Sequence, residues 1–249
     1  MRFHYDIVYW LVKIPSLCLN LVDRRVRYPA MRHSLPIDKI LAILRKASHF
    51  WTSTTIAQIA RETDNPFKIL VATVLSARTK DVTTLEASKR LFKVAPTPQA
   101  MMKLPCPAIE KLIFPVGFYR TKAKNVRALC RTLVEKFGGK VPETVETLVT
   151  LSGVGRKTAN LVVTMAFQKH GICVDTHVHR ISNRWGLVKT KNPKETEFAL
   201  YEVLPKKYWI GYNDLLVSFG QNICQPVSPF CSRCPVEKLC PQINVSRHR

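Results

Sequence analysis

From Pro36 onward the apolar positions keep a helical rhythm. Ile37, Ile40, Leu41 and Leu44 share one face of a first helix, and Ile56, Ile59 and Ala60 mark a short second one. Pro66 opens an apolar run over residues 67–75, long enough to be a central buried helix, since proline suits the first helical position. The run ends in the polar stretch Ser76-Ala77-Arg78-Thr79-Lys80-Asp81, where Asp81 is expected to cap a helix carrying Leu85, Ala87, Ser88, Leu91 and Phe92. Short helices near 98–104 and 107–114 are set apart by Pro105 and Pro107. Residues 115–119 predict a turn that exposes Phe118 and Tyr119. Residues 120–137 read as one long helix, apolar along Val126, Cys130, Leu133 and Phe137 and basic along Arg120, Lys124, Arg127 and Arg131. Such a basic row is either a solvated face or a track for phosphates, and only Glu135 offsets it.

Pro142 and Glu143 open a further helical segment with Val145, Leu148, Val149 and Leu151, and Ala159, Val162, Val163 and Ala166 resume the rhythm after a break. The break is Leu151-Ser152-Gly153-Val154-Gly155-Arg156-Lys157-Thr158-Ala159-Asn160, a two-glycine turn between helices. Gly153 and Gly155 can take backbone angles that a side chain forbids, and they let a phosphodiester approach the main chain. The N–H groups opening the second helix lack internal partners and sit at the positive end of its dipole. Lys157 lies in that first turn, and taken alone it is equally a solvent-facing or phosphate-pairing cation. Residues 171–177 form a short extended piece that delivers Asp175 to the start of another helix, where Asp-Thr is also an ordinary N-cap. His177 and His179 read as packing residues or phosphate contacts rather than bases. Helices near 193–204 and 210–222 complete the body; no segment alternates with period two and no long repeat occurs, so the class is all-α.

Charge narrows the partner. The chain carries 39 Lys and Arg against 17 Asp and Glu, a net +22, more than solubility requires, and so implies a polyanion: nucleic acid first, an anionic membrane surface second. With 249 residues, 46% of them hydrophobic, it can bury one large or two smaller cores. Residues 7–22 are mostly apolar, but Lys13, Pro15 and Asn20 interrupt them. They fall short of the ~20 residues a spanning helix needs. No cleavage signal follows, Met31 offers an alternative start, and a weak amphipathic helix is the remaining option there.

Of eight cysteines, Cys18, Cys106, Cys130 and Cys173 are scattered through apolar or helical segments as small hydrophobes. The others, Cys224, Cys231, Cys234 and Cys240, have the spacing C-x6-C-x2-C-x5-C within seventeen residues. Four thiolates this close suit tetrahedral zinc or a [4Fe–4S] cluster, and a reducing compartment rather than a disulfide framework. A zinc ribbon brings two CxxC pairs to its metal, whereas one is present here. No flavin or nicotinamide fingerprint accompanies them, so the metal reads as a clamp on the C-terminal loop.

The hairpin, the segment Val174-Asp175-Thr176-His177-Val178-His179-Arg180 and the four-cysteine tail together resemble endonuclease III, of the helix-hairpin-helix DNA glycosylase superfamily, over about residues 35–241. The resemblance implies two helical domains flanking a DNA-binding cleft. A six-helix barrel would span 59–169, with the helix-hairpin-helix at 144–168, and an iron–sulfur cluster domain would combine 34–58 with 170–241, leaving 1–33 as an N-terminal extension and 242–249 as a basic tail. It implies a bifunctional DNA glycosylase and AP lyase that removes oxidised pyrimidines from duplex DNA and cuts the abasic strand by β-elimination. Lys157 matches the family's catalytic lysine, which forms a Schiff base at the sugar C1′, and an amine attacks only when uncharged. Asp175 matches the aspartate that assists this deprotonation and stabilises the cationic sugar. The four clustered cysteines match the ligands of a [4Fe–4S] cluster. Gly153, Val154, Gly155 and Arg156, with Arg120, Lys122 and Lys124 and also Arg233, would contact DNA.

Reaching a base inside a duplex requires extruding it and filling the gap. The family's glutamine plug is Arg78 in this chain and its leucine wedge is Phe118, both departures that keep bulk. The loop 225–230 lacks the basic residues that family members often carry there. The implied partner is double-stranded DNA with a damaged base or abasic site, met by a monomer without membrane attachment, at the nucleoid in the cytoplasm or in a nucleus. Two other readings remain open: a monofunctional glycosylase for adenine or thymine mismatches, against which Lys157 speaks, and a non-catalytic iron–sulfur DNA-binding protein.

Overall fold

The structure, a computed structural model, describes residues 35–51 and 54–249, and the readings placed on residues 1–34 lie outside them. The described residues form α-helices and no strand. The helices are α1 (Ile37–Ala47), α2 (Thr55–Thr63), α3 (Pro66–Ser76), α4 (Asp81–Val94), α5 (Pro98–Lys103), α6 (Cys106–Ile113), α7 (Tyr119–Phe137), α8 (Val145–Leu148), α9 (Arg156–Phe167), α10 (Thr176–Arg184), α11 (Pro193–Val203) and α12 (Trp209–Asn222).

α3 is central because it is apolar on every side: Phe67 and all of residues 69–75 are buried. Asn65 starts it by accepting from the N–H groups of Phe67 and Lys68, and Pro66 occupies the position whose N–H would have no partner. Around α3 a first core gathers α4 to α9 through residues such as Leu91, Met101, Ile109, Val126 and Val162. A second core joins α1, α10, α11 and α12 around Trp185, Tyr212 and Phe219. α2 packs Ile56 and Ile59 on Ile69 and Ala72 of α3. A boundary at residue 58 therefore cuts a helix whose single apolar stripe belongs wholly on the α3 side; the change of core falls before Thr54 instead. Between the cores, Thr54 Oγ1 donates to Asp214 Oδ1 at 2.7 Å and Asn213 Nδ2 to the Cys173 carbonyl at 3.0 Å.

Several local expectations change. Asp81 does not cap α4 but is its first residue, favourably placed by the positive end of the helix dipole, with Gln221 Nε2 3.3 Å from its Oδ2. α8 is a single turn, capped by Thr144, so the hairpin's first arm is shorter than its apolar spacing suggests. Tyr119 is half-buried edge-on against Phe114, and Phe114 is the exposed aromatic beside Phe118. Residues 242–249 are not a free basic tail. The Ile243 N–H donates to the Arg184 carbonyl at 3.0 Å, and the Arg249 guanidinium lies 3.9 Å from the Phe230 ring that Arg233 faces at 4.2 Å. A guanidinium loses little hydration on an aromatic face, which lets a basic segment pack. No helix among the described residues is long and apolar enough to cross a membrane.

Candidate active site

The shape of the hairpin follows from a clash it avoids. Gly153 has a φ of +77°, and a Cβ there would stand 2.9 Å from Asn125 Cβ and Nδ2 on α7. Ser152 Oγ donates to Asn125 Oδ1 at 3.2 Å, and Val154 is buried beneath the turn, so hairpin and α7 are locked together. Gly155 differs from expectation: its φ of −89° suits any residue, and a Cβ would meet nothing within 4 Å. What glycine preserves at 155 is empty space above the backbone. α9 then begins without a side-chain cap, leaving its first N–H groups free for an anion.

Lys157 stands in that first turn with its side chain 58% exposed, whereas that of Asp175 is 10% exposed. Lys157 Nζ is 3.9 Å from Asp175 Oδ2. The other carboxylate oxygen, Oδ1, accepts from the N–H groups of His177 and Val178, each at 2.9 Å. Cap and ion pair thus coexist on different oxygens of one residue. The two histidines are engaged elsewhere: His177 Nδ1 lies 3.1 Å from Arg180 Nη2, and His179 Nδ1 2.6 Å from Thr196 Oγ1. Burial lowers the pKa of both and favours their neutral rings.

Arg156, expected on DNA, instead turns its Nε to Glu197 Oε1 at 2.8 Å, an oxygen that Asn160 Nδ2 also reaches at 3.1 Å. This ties the start of α9 to α11. Burial raises the pKa of Glu197, and the Arg156 charge and the two hydrogen bonds oppose that rise. A basic residue at a helix start gives no hint in sequence of a buried carboxylate 41 residues on.

Lys122 is a correction. Rather than facing a phosphate, it is buried, and its Nζ donates to the Leu75 carbonyl at 2.7 Å, the Ala77 carbonyl at 2.6 Å and Thr79 Oγ1 at 3.0 Å. A cation is well placed at the C-terminal end of α3, where carbonyls lack partners. Burial brings its pKa down to about 8. Its position on the inner face of α7, next to Ala123 and one turn before Val126, was the available signal. Arg120 and Lys124 are exposed as expected.

Just beyond α3, Arg78 has a φ of +53°, and Phe118, the residue before α7, a φ of +57°. Such backbone costs a non-glycine residue on the order of 1–3 kcal/mol. Both border an open cavity of about 250 Å³ shared with Asn125 and Gly153 of the hairpin.

The four clustered cysteines border one cavity together with Arg184, Trp185 and Phe219. Arg184 is buried; its Nη1 lies 3.3 Å from Cys224 Sγ and donates to the Gln225 carbonyl at 2.7 Å, while Nη2 donates to the Pro226 carbonyl at 2.7 Å. Arg180, one turn earlier, donates to the Cys224 carbonyl at 2.8 Å. These two arginines, absent from the expected set, shape the first part of the cysteine loop. Burial raises the thiols of Cys231 and Cys240 and takes Cys234 to about 12, which favours their neutral form wherever no positive charge stands beside them. Among the described residues no three His, Cys, Asp or Glu side chains close on a single ion.

The family model described as HhH-GPD superfamily base excision DNA repair protein matches residues 71–206, which include the hairpin, Lys157 and Asp175. The chain belongs to that superfamily. Endonuclease III of Thermotoga maritima is 49% identical over 180 residues, 72% of this chain and 84% of that protein. Endonuclease III homolog 2, chloroplastic, of Arabidopsis thaliana is 45% identical over 184 residues, 70% of this chain but 48% of the relative, so the chain spans about half the length of that plant protein. A solved structure of a trapped endonuclease III–DNA covalent intermediate, an estranged-adenine complex, superposes with a TM-score of 0.72 at 36% identity, covering 83% of this chain and 94% of the other. The all-α architecture is that of the endonuclease III fold, and the endonuclease III relatives together with the match to that covalent intermediate make the chain a base excision repair DNA glycosylase with AP lyase activity.

Proposed function

We propose that Lys157 is the nucleophile of this enzyme and Asp175 its carboxylate partner. The observation that carries the reading is the 3.9 Å approach of an exposed lysine Nζ to the free oxygen of a mostly buried aspartate, at a helix start open to phosphate. The lysine gives up a proton, for which Asp175 is the nearest base, and its lone pair bonds to C1′ of an extruded nucleotide. The bond from C1′ to the base breaks and the base leaves with that electron pair and a proton. Ring opening yields an imine between Nζ and C1′. Loss of a C2′ proton then expels the 3′ phosphate and cuts the strand. Asp175 passes its proton to the departing base, and the carboxylate so restored offsets positive charge on the sugar, from a position fixed by its two backbone hydrogen bonds.

The substrates are oxidised pyrimidines and abasic sites in duplex DNA, bound by a monomer through the hairpin residues Gly153, Val154 and Gly155 and the exposed Arg120 and Lys124 of α7. The enzyme works where chromosomal DNA is, at a nucleoid or in a nucleus. Cys224, Cys231, Cys234 and Cys240 hold a [4Fe–4S] cluster: the donor set is thiol-only, all four border one cavity, and Arg184 supplies positive charge beside Cys224. The group when bound supplies a rigid anchor for the C-terminal loop. Incubation with a duplex carrying thymine glycol or an abasic site, with borohydride present, should trap a covalent adduct. Lys157→Gln should abolish trapping while DNA affinity largely persists. Base release without adduct would favour a monofunctional glycosylase, and binding without chemistry a scaffold.

A further inference from the structure

Residues 242–249 return over the cysteine cavity, which Gln242 and Val245 border. Arg249 reaches the loop between Cys224 and Cys231, six residues and the longest of the three gaps between the clustered cysteines. Short 3₁₀ turns, Cys231–Arg233 and Glu237–Leu239, lie in the other two gaps and fix them locally. The long gap has no such turn, and its Pro226 and Pro229 have no N–H with which to build one. Arginines from outside hold it instead. Arg184 takes the first half, donating to the Gln225 and Pro226 carbonyls at 2.7 Å each. Arg249 takes the second half. Its Nε and Nη2 donate to the Ser228 carbonyl at 3.2 and 2.9 Å, Nη2 also donates to Gln225 Oε1 at 2.8 Å, and its backbone N–H donates to the Pro229 carbonyl at 2.8 Å. The Arg249 carbonyl accepts from the Ser232 N–H at 2.9 Å, so this one residue is fastened on both sides of Cys231. Among the described residues the Ser228 and Pro229 carbonyls have no other hydrogen-bond partner.

A buried centre loses a ligand through local opening of the chain that carries it, and the segment with the fewest bonds of its own opens first. Here that segment is the second half of the loop, where Val227 is 83% exposed and Cys231 follows, buried. We infer that Arg249 is a positioning residue for the iron–sulfur centre: by pinning Ser228, Pro229 and Ser232 it keeps Cys231 on the cavity and sets the rate at which the centre comes apart. The inference rests on the proposed cluster. Every hydrogen bond and ring contact of Arg249 lies within residues 225–232, away from Lys157 and the hairpin, so strand cleavage is untouched while the centre is intact.

The test compares wild type with Arg249→Ala, Arg249→Lys and Arg247→Ala, each as the full chain carrying its cluster and kept anaerobic. Arg247 is exposed in the same segment, so its variant removes the same charge and leaves the loop held. Excess EDTA is added, and the visible absorbance of the cluster is followed together with the iron released. Arg249→Ala should lose the centre on the order of tenfold faster, the effect of removing charged hydrogen bonds from one loop. Arg249→Lys, which reaches a single acceptor, should fall between, and Arg247→Ala should match wild type. Deuterium uptake in Arg249→Ala should rise over residues 224–232 and stay level in α3 and α7, and borohydride trapping by the fresh protein should equal that of wild type. An unchanged rate of iron loss in Arg249→Ala overturns the inference, as does an equal acceleration in Arg247→Ala, which would make the effect one of charge alone. Wild type without iron would sink the cluster assignment instead, and the uptake over residues 224–232 would still decide whether Arg249 holds the loop.

Discussion

The two oxygens of Asp175 are committed differently, one to the start of α10 and one to Lys157, and a substitution can separate them. Asp175→Asn keeps a capping oxygen, so thermal unfolding should shift by no more than a few tenths of a kcal/mol, while single-turnover strand cleavage falls by on the order of 10²–10⁴-fold. Asp175→Ala should show the same rate loss with about 1 kcal/mol of lost stability besides. Lys122 tests the opposite case, a cation that serves the fold. Lys122→Met strands the Leu75 and Ala77 carbonyls and should cost about 2 kcal/mol in denaturant unfolding. Its folded pKa of about 8 lies below the 10.5 of an ordinary lysine. Between those values the unfolded chain binds the proton more tightly, so wild type should gain stability relative to Lys122→Met as pH rises from about 8 towards 10.5, and be level with pH below that window. At this scale the sequence announces Lys157 and Asp175, because their neighbours form motifs. It distinguishes Lys122 from Lys124 only through helical phase, the two-residue step turning the chain by about 200° from a buried clamp to a solvated charge.

Among the elements, the hairpin uses its glycines for different reasons. Gly153→Ala drives a methyl group into Asn125 at a φ of +77° and should destabilise the fold by more than 1 kcal/mol. Gly155→Ala meets no protein atom, so stability should hold while affinity for duplex DNA falls, measured by anisotropy. Equal affinity in Gly155→Ala would remove the phosphate from that position. The clasp between α9 and α11 gives a second pair of variants. Glu197→Gln still accepts from Arg156 and Asn160 without burying a charge, and should unfold within about 1 kcal/mol of wild type, whereas Glu197→Ala leaves both donors unpaired and should cost about 3 kcal/mol. Most of the helices were legible because they have an apolar stripe or run, and α1, α2, α3, α5, α6, α8, α10 and α11 also have a proline, threonine or asparagine at the start. The exceptions have local causes: α8 is too short to show a period, and the change of core between Trp51 and Ile56 follows from tertiary packing of Ile56 and Ile59 that periodicity alone does not assign.

For the whole molecule, the excess of 39 basic over 17 acidic residues makes any DNA complex salt-sensitive, so affinity should fall steeply with ionic strength in wild type and in Lys157→Gln alike. The gathering of the four cysteines around one cavity follows their spacing, whereas the packing of Arg249 on Phe230 was not legible, because a basic C-terminal run reads as solvated until an aromatic face is known to receive it. Cys231→Ala should lower iron content and speed hydrogen exchange across residues 224–249, with α3 and α7 unchanged; four sulfurs binding a single zinc instead would correct the assignment of the metal. The account stands or falls on one covalent bond, from Lys157 to deoxyribose. Mass spectrometry of the borohydride-trapped complex after proteolysis reads that bond directly. A reduced sugar remnant should sit on the peptide containing Lys157 and on no other; the same remnant on Lys124 or another amine, or no modified peptide from an enzyme that still cuts abasic DNA, would contradict the mechanism.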